Sequence, residues 1–173
     1  DPMYALNAIG KVTASTVAEG QPGFVEATKA EENRSWGTGF MISPCHMITN
    51  HHVVCEKEKV NGKSVCKRNT NSKDKNVNFS FGESSDGTDF ANRVTGKVVE
   101  DNSGYDYAIV RIDTTKNGPA PYITPNFWDV SDLDKTVSLG AGYPAQSFGQ
   151  HSHKLQGMKS VLTKNGMYLD GKI

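Results

Sequence analysis

The stretch that decides the fold runs from Trp36 to Val54, WGTGFMISPCHMITNHHVV. Gly37 to Ile42 (GTGFMI) reads as a strand, Ser43-Pro44-Cys45 as a turn, and His46 to Thr49 as the return strand. Asn50 then stands where a helix cap stands, so His51 to Cys55 is expected to form a short helical stretch. Outward from this segment the apolar residues come in short β-branched runs bounded by turn residues, a strand pattern and not a helical one. Ile9 to Ser15 (IGKVTAS) is a strand upstream. Asn76 to Phe81 (NVNFSF), Asn92 to Glu100 (NRVTGKVVE) and Tyr107 to Ile112 (YAIVRI) are strands downstream, with a turn at Asp101-Asn102-Ser103-Gly104 between the last two. Six strands before Asp113 suit a small closed barrel or a sandwich, so the chain is expected to be all-β.

Thr114 to Pro125 carries Gly118, Pro119, Pro121 and Pro125 and cannot hold a regular strand or helix for long. It reads as the start of a linker between two units. Strand character resumes at Thr136 to Ala141 (TVSLGA), stops at Gly142-Tyr143-Pro144, and returns at Lys154 to Leu162 and at Met167 to Ile173. Three strands are too few to close a barrel. The expected organisation is a first barrel over 1–113, a linker over 114–135 and the start of a second barrel over 136–173.

The balance of 19 basic against 19 acidic residues gives no electrostatic reason to expect nucleic acid or an anionic membrane surface as a partner. No apolar run reaches the roughly 18 residues of a membrane-spanning helix. The opening Asp1-Pro2 lacks a signal peptide's basic start and apolar stretch, as expected of a mature chain whose leader is gone or of a trimmed one. One segment departs from neutrality: Lys57, Lys59, Lys63, Lys67, Arg68, Lys73 and Lys75 are interleaved with Asn, Gly and Ser. With too few apolar residues for a core, it reads as a solvated surface insertion in preference to a phosphate-tracking patch. Cys45, Cys55 and Cys66 do not make the tight pairs of a zinc pattern. A Cys55–Cys66 disulfide closing the basic loop, a Cys45–Cys55 disulfide, and three free thiols are the alternatives.

Taken together, the glycine-rich strand, the hairpin and the T-x-x-H-V run resemble the histidine region of chymotrypsin-like serine peptidases, closest to the bacterial glutamyl-endopeptidase-like branch. The resemblance covers Ala8 onward and is most specific between Trp36 and Val54. Counting from Thr49, it implies His52, and not His51, as the catalytic imidazole. The family's aspartate leads a strand of pattern D-x-A-[IVL]-[VIL], which Asp106-Tyr107-Ala108-Ile109-Val110 fits. Such a pairing has a chemical reason: a serine hydroxyl becomes nucleophilic when an imidazole takes its proton, and a carboxylate holds that imidazole in one tautomer. Leu139 to Ala145 (LGAGYPA) matches a strand and G-Y-P turn found early in the second barrel of that branch. The resemblance implies a double β-barrel endopeptidase, secreted or periplasmic, acting on protein or peptide substrates without a cofactor.

The family's nucleophile sits in a G-[DN]-S-G-[GS]-P turn, and the 173 residues contain none. Asp101-Asn102-Ser103-Gly104 comes nearest, but Ser103 lies three residues before Asp106 and reads as a turn residue. The expected serine therefore lies outside this sequence, on a partner chain made by cleavage or on a part removed by truncation, and this chain alone is expected to be inactive. The rival readings are a non-catalytic peptidase-fold binding or scaffold module and a chymotrypsin-like cysteine peptidase. His151-x-His153 has a spacing two metal ligands can use, but no third ligand stands near, and no metal site is expected. His46 reads as a strand-start residue, His51 as a neighbour pointing to solvent, and Trp36 and Phe40 as core or rim.

Overall fold

A computed structural model describes residues 6–15, 36–55, 57–66, 76–84, 90–126, 129–143, 155–163 and 166–169. The hairpin at the centre of the sequence reading is present: β2 (Gly37–Ser43) turns through Pro44 and Cys45 into β3 (His46–Thr49). Around it lie β1 (Ile9–Ser15), β6 (Asn76–Glu83), β7 (Phe90–Asn102) and β8 (Tyr107–Ile112). All pairings are antiparallel, and the order β1-β2-β3-β8-β7-β6 closes on itself. Closure removes the exposed edges an open sheet would present.

Side chains alternate across each strand, so one residue in two points into the barrel. Val12, Met41, Met47, Val77, Phe79, Phe81, Val98, Ala108 and Val110 fill the interior. Phe79 is fully buried, and its ring stacks on Phe81 with centroids 5.0 Å apart. Phe79→Ala is therefore expected to lower unfolding stability by about 3–5 kcal/mol, measured by urea denaturation. A loss under 1 kcal/mol would mean the ring does not fill the barrel as described.

β7 is longer than the sequence suggests. Asp101 and Asn102, read as a turn, pair instead with Ala108 and Tyr107, and the turn moves on to Ser103–Asp106. Ladder hydrogen bonds outweigh the turn preference of Asp and Asn here. A register shift between Val98 and Glu100 leaves Val99 exposed.

The basic insertion holds a two-stranded hairpin that the sequence reading missed, β4 (Lys57–Val60) and β5 (Lys63–Cys66). Its turn is Asn61-Gly62, both at positive φ (51° and 78°), the geometry of a tight hairpin turn that favours Asn-Gly. Residues 58–63 are exposed, as a solvated insertion requires.

β9 (Val137–Gly142), β10 (Gln156–Thr163) and β11 (Gly166–Leu169) form a separate sheet of order β11-β10-β9, the partial second barrel. Between the sheets, the Gly- and Pro-rich stretch lacks regular structure yet is anchored. Ala120 and Ile123 donate their amides to the carbonyls of Pro44 (3.0 Å) and Met41 (2.8 Å) and pack on the barrel core. A four-residue helix, Val130–Leu133, follows, capped by the Asp129 carboxylate accepting from the Ser131 amide at 3.0 Å. No helix among the described residues is long and apolar enough to cross a membrane.

Tyr143, from the Gly-Tyr-Pro turn, ties the second sheet to the first. Its amide donates to Thr38 Oγ1 at 2.8 Å, and its carbonyl accepts from Trp36 Nε1 at 3.2 Å. Its buried phenol is held well above its ordinary pKa by desolvation and by the Glu83 carboxylate. Lys11, only 1% exposed, lies near this contact with its Nζ 4.8 Å from the Trp36 ring centroid, a cation–π geometry. Trp36 and Phe40 are half-buried, as a rim position implies.

Candidate active site

The chain leaves β3 into a single helical turn, α1 (His51–Val54). Two features fix this turn against the barrel. Thr49 donates its hydroxyl to the Thr38 carbonyl at 2.8 Å, and Val54 is fully buried. A Cβ on Gly37 would overlap the Val53 methyls, so glycine there lets β2 pass directly beneath the turn. Asn50 does not cap the helix with its side chain, contrary to expectation. Its Nδ2 donates instead to the Asp106 carbonyl at 2.9 Å, because the β3–β8 pairing brings that oxygen within reach.

Asp106 ends the turn before β8 with φ of 55°, a left-handed conformation that Asp tolerates better than most side chains. Asn102 Oδ1 accepts from the Tyr105 amide at 2.8 Å and stabilises that turn. The carboxylate then grips His52 twice. Oδ1 accepts from the His52 amide at 2.9 Å, and Oδ2 lies 2.7 Å from His52 Nδ1. Since an ionised carboxylate only accepts, the hydrogen sits on Nδ1.

Partial burial pushes the Asp106 carboxyl up, but the two His52 hydrogen bonds and the charges of His52 and His51 outweigh it. Its pKa falls below the ordinary 3.8. The stability from this grip is therefore fully present above about pH 3.8 and is lost as the pH falls through the lower folded-state value. An NMR titration of the Asp106 carboxyl carbon is expected to give a midpoint below 3.8. A midpoint at or above that would mean the two bonds do not persist in solution.

The neighbouring residues sort clearly. His51 does not point to solvent: its side chain is 14% exposed, with Nε2 3.4 Å from Asp101 Oδ2. The long β7 carries Asp101 to that spot, so the same extension that replaced the predicted turn also removed His51 from solvent. His46 begins β3, with Nδ1 2.8 Å from Ser43 Oγ. Ser103 is an exposed turn residue. Cys55 and Cys66 form the disulfide, and Cys45 is a half-buried free thiol. His151 and His153, like Lys67, Arg68, Lys73 and Lys75, lie outside the described residues. Asn50 and Asp101 are the contributors that sequence reasoning missed. Asn50 had a positional signal only in its place two residues before His52; Asp101 had none.

Residues 37–167, about three quarters of the chain, match the trypsin-like peptidase domain family. The chain belongs to that family. The closed six-strand barrel with a partial second sheet is accordingly a chymotrypsin-like fold. Among solved structures, this trypsin-like peptidase domain is similar to Deg5, with a TM-score of 0.53 at 16% identity over 92% of this chain and 59% of that one. The serine endoprotease from Yersinia pestis gives a TM-score of 0.49 at 16% identity over 92% of this chain and 42% of its own. The domain thus spans less than two thirds of the length of either. No curated protein matches its sequence. The comparisons support the trypsin-like family as a whole and do not single out the glutamyl-endopeptidase-like branch.

Proposed function

We propose that this domain supplies the general base and its orienting carboxylate, His52 and Asp106, to a serine endopeptidase. The observation that carries the reading is the double grip of Asp106 on the amide and Nδ1 of one histidine. A hydrogen bond to Nδ1 alone could occur in any surface ion pair. Fixing backbone and ring together sets both where the imidazole sits and which nitrogen carries hydrogen. Proton transfer would run through Nε2, the ring nitrogen not bound to Asp106. His52 would take the proton of a serine hydroxyl as it attacks the peptide carbonyl, then hand it to the leaving amine, while Asp106 stabilises the imidazolium.

The serine belongs to a part of the protein outside these 173 residues, which contain no G-x-S-G-[GS]-P turn. Residues 1–113 form the barrel that carries His52 and Asp106, 114–135 link the units, and 136–173 begin the second barrel. Substrates are peptides or proteins. The Cys55–Cys66 disulfide favours an oxidising compartment, secreted or periplasmic.

Peptide hydrolysis by two purified proteins tests this. The 173-residue chain is expected to leave fluorogenic casein intact, while the same chain extended through its downstream G-x-S-G turn cleaves it. Cleavage by the short chain, or a reading frame without such a turn, would contradict the proposal. A cysteine at that turn would point to the cysteine peptidase.

A further inference from the structure

A second chemistry-bearing cluster sits at the same helical turn as the His52–Asp106 pair. The donor atoms of His51, Cys55 and Cys66 all lie within 4.8 Å of one another. Two of the three bracket the same helical turn: His51 opens α1 and Cys55, four residues on, is its C-cap residue, with the Cys55 amide bonded to the His51 carbonyl at 2.9 Å. The third, Cys66, ends β5, the returning strand of the exposed hairpin. The site is shielded, with Cys55 7% exposed and the His51 side chain 14%. Asp101 Oδ2, 3.4 Å from His51 Nε2, is the carboxylate companion that metal-bound imidazoles commonly have, which orients the ring and raises its basicity.

The geometry points to a redox-gated zinc site: once the Cys55–Cys66 bond is reduced, His51, Cys55 and Cys66 bind one zinc ion, with water in the fourth position. Two thiolates and an imidazole are a donor set that suits zinc and does not suit magnesium or calcium. A dithiol reductant supplies two electrons and two protons to the sulfur–sulfur bond and itself closes to a disulfide, leaving two thiols. Each thiol loses its proton to solvent as its sulfur binds zinc, and the metal keeps its oxidation state. Zinc–sulfur distances of about 2.3 Å and zinc–nitrogen distances of about 2.0–2.1 Å require the two sulfurs to separate after reduction. Cys66 is the partner placed to move, because among the described residues its hairpin pairs with no other sheet. Zinc would then close the same ten-residue loop that the disulfide closes under oxidising conditions, keeping the hairpin clasped beside His52.

The test uses protein reduced with a phosphine and freed of reductant without air, then titrated with cobalt(II) as a spectroscopic probe. The expected result is one equivalent bound with thiolate-to-cobalt charge-transfer absorption and tetrahedral visible bands, displaced by zinc and absent from the oxidised protein. His51→Ala is expected to weaken binding, and Asp101→Asn to weaken zinc about 10- to 100-fold. Alkylation of the reduced wild-type protein needs no variant to fold. Zinc should protect Cys55 and Cys66 from iodoacetamide and leave Cys45 reactive, read by peptide mass. Equal alkylation of Cys55 and Cys66 with and without zinc, or cobalt affinity unchanged in a folded His51→Ala protein, would overturn the site.

Discussion

Replacing His52 by alanine in the protein extended through its nucleophile is expected to lower kcat for peptide hydrolysis about a millionfold. That is the scale on which removing the imidazole of a serine–histidine pair acts. Without the imidazole nothing takes the serine proton, and the residual rate comes from substrate binding and oxyanion stabilisation. The fold should survive, because the His52 side chain is 61% exposed and contributes nothing to the barrel core. KM should move little, since the imidazole acts on a transition-state proton and not on ground-state binding. The measurement is steady-state hydrolysis of a peptide substrate together with a thermal melt. A loss below tenfold with an unchanged melt would remove His52 from the mechanism.

Asp106→Asn should cost about ten-thousand-fold in kcat, by a different route. Asn tolerates the left-handed backbone that Asp106 adopts at φ 55°, so the turn and the amide bond to His52 can both remain. What changes is the second oxygen. An amide nitrogen beside His52 Nδ1 donates where the carboxylate accepted, so the ring turns to the tautomer with hydrogen on Nε2. That nitrogen can then no longer accept the serine proton. The rate should fall with the structure intact, and the Nδ1 proton resonance of His52 should vanish. If the variant keeps more than a tenth of the activity, Asp106 is a structural ion-pair partner only.

Much of this was legible in the sequence, for identifiable reasons. The barrel strands were readable because barrel walls alternate inward and outward residues, as in Tyr107 to Ile112, where Ala108, Val110 and Ile112 are buried. The strings T-x-x-H-V and D-x-A-I-V singled out His52 and Asp106, and the structure brings these two side chains together. What escaped depends on register between distant segments. The Asn50–Asp106 and His51–Asp101 contacts join residues about fifty apart and exist only once β3, β8 and β7 are aligned. The β4–β5 hairpin escaped for a different reason. Its Asn-Gly turn was present in the string, but charged residues around it masked the strand pattern, and no described residue of the hairpin belongs to the core cluster.

If His52 and Asp106 activate a serine elsewhere in the protein, that serine will react covalently with a fluorophosphonate. The extended protein is expected to label on a single serine of a G-x-S-G turn beyond Ile173. His52→Ala should abolish that labelling, and Ser103→Ala should leave it unchanged. Labelling that persists in the folded His52→Ala protein, or that maps to Ser103, would mean that His52 and Asp106 activate no such serine.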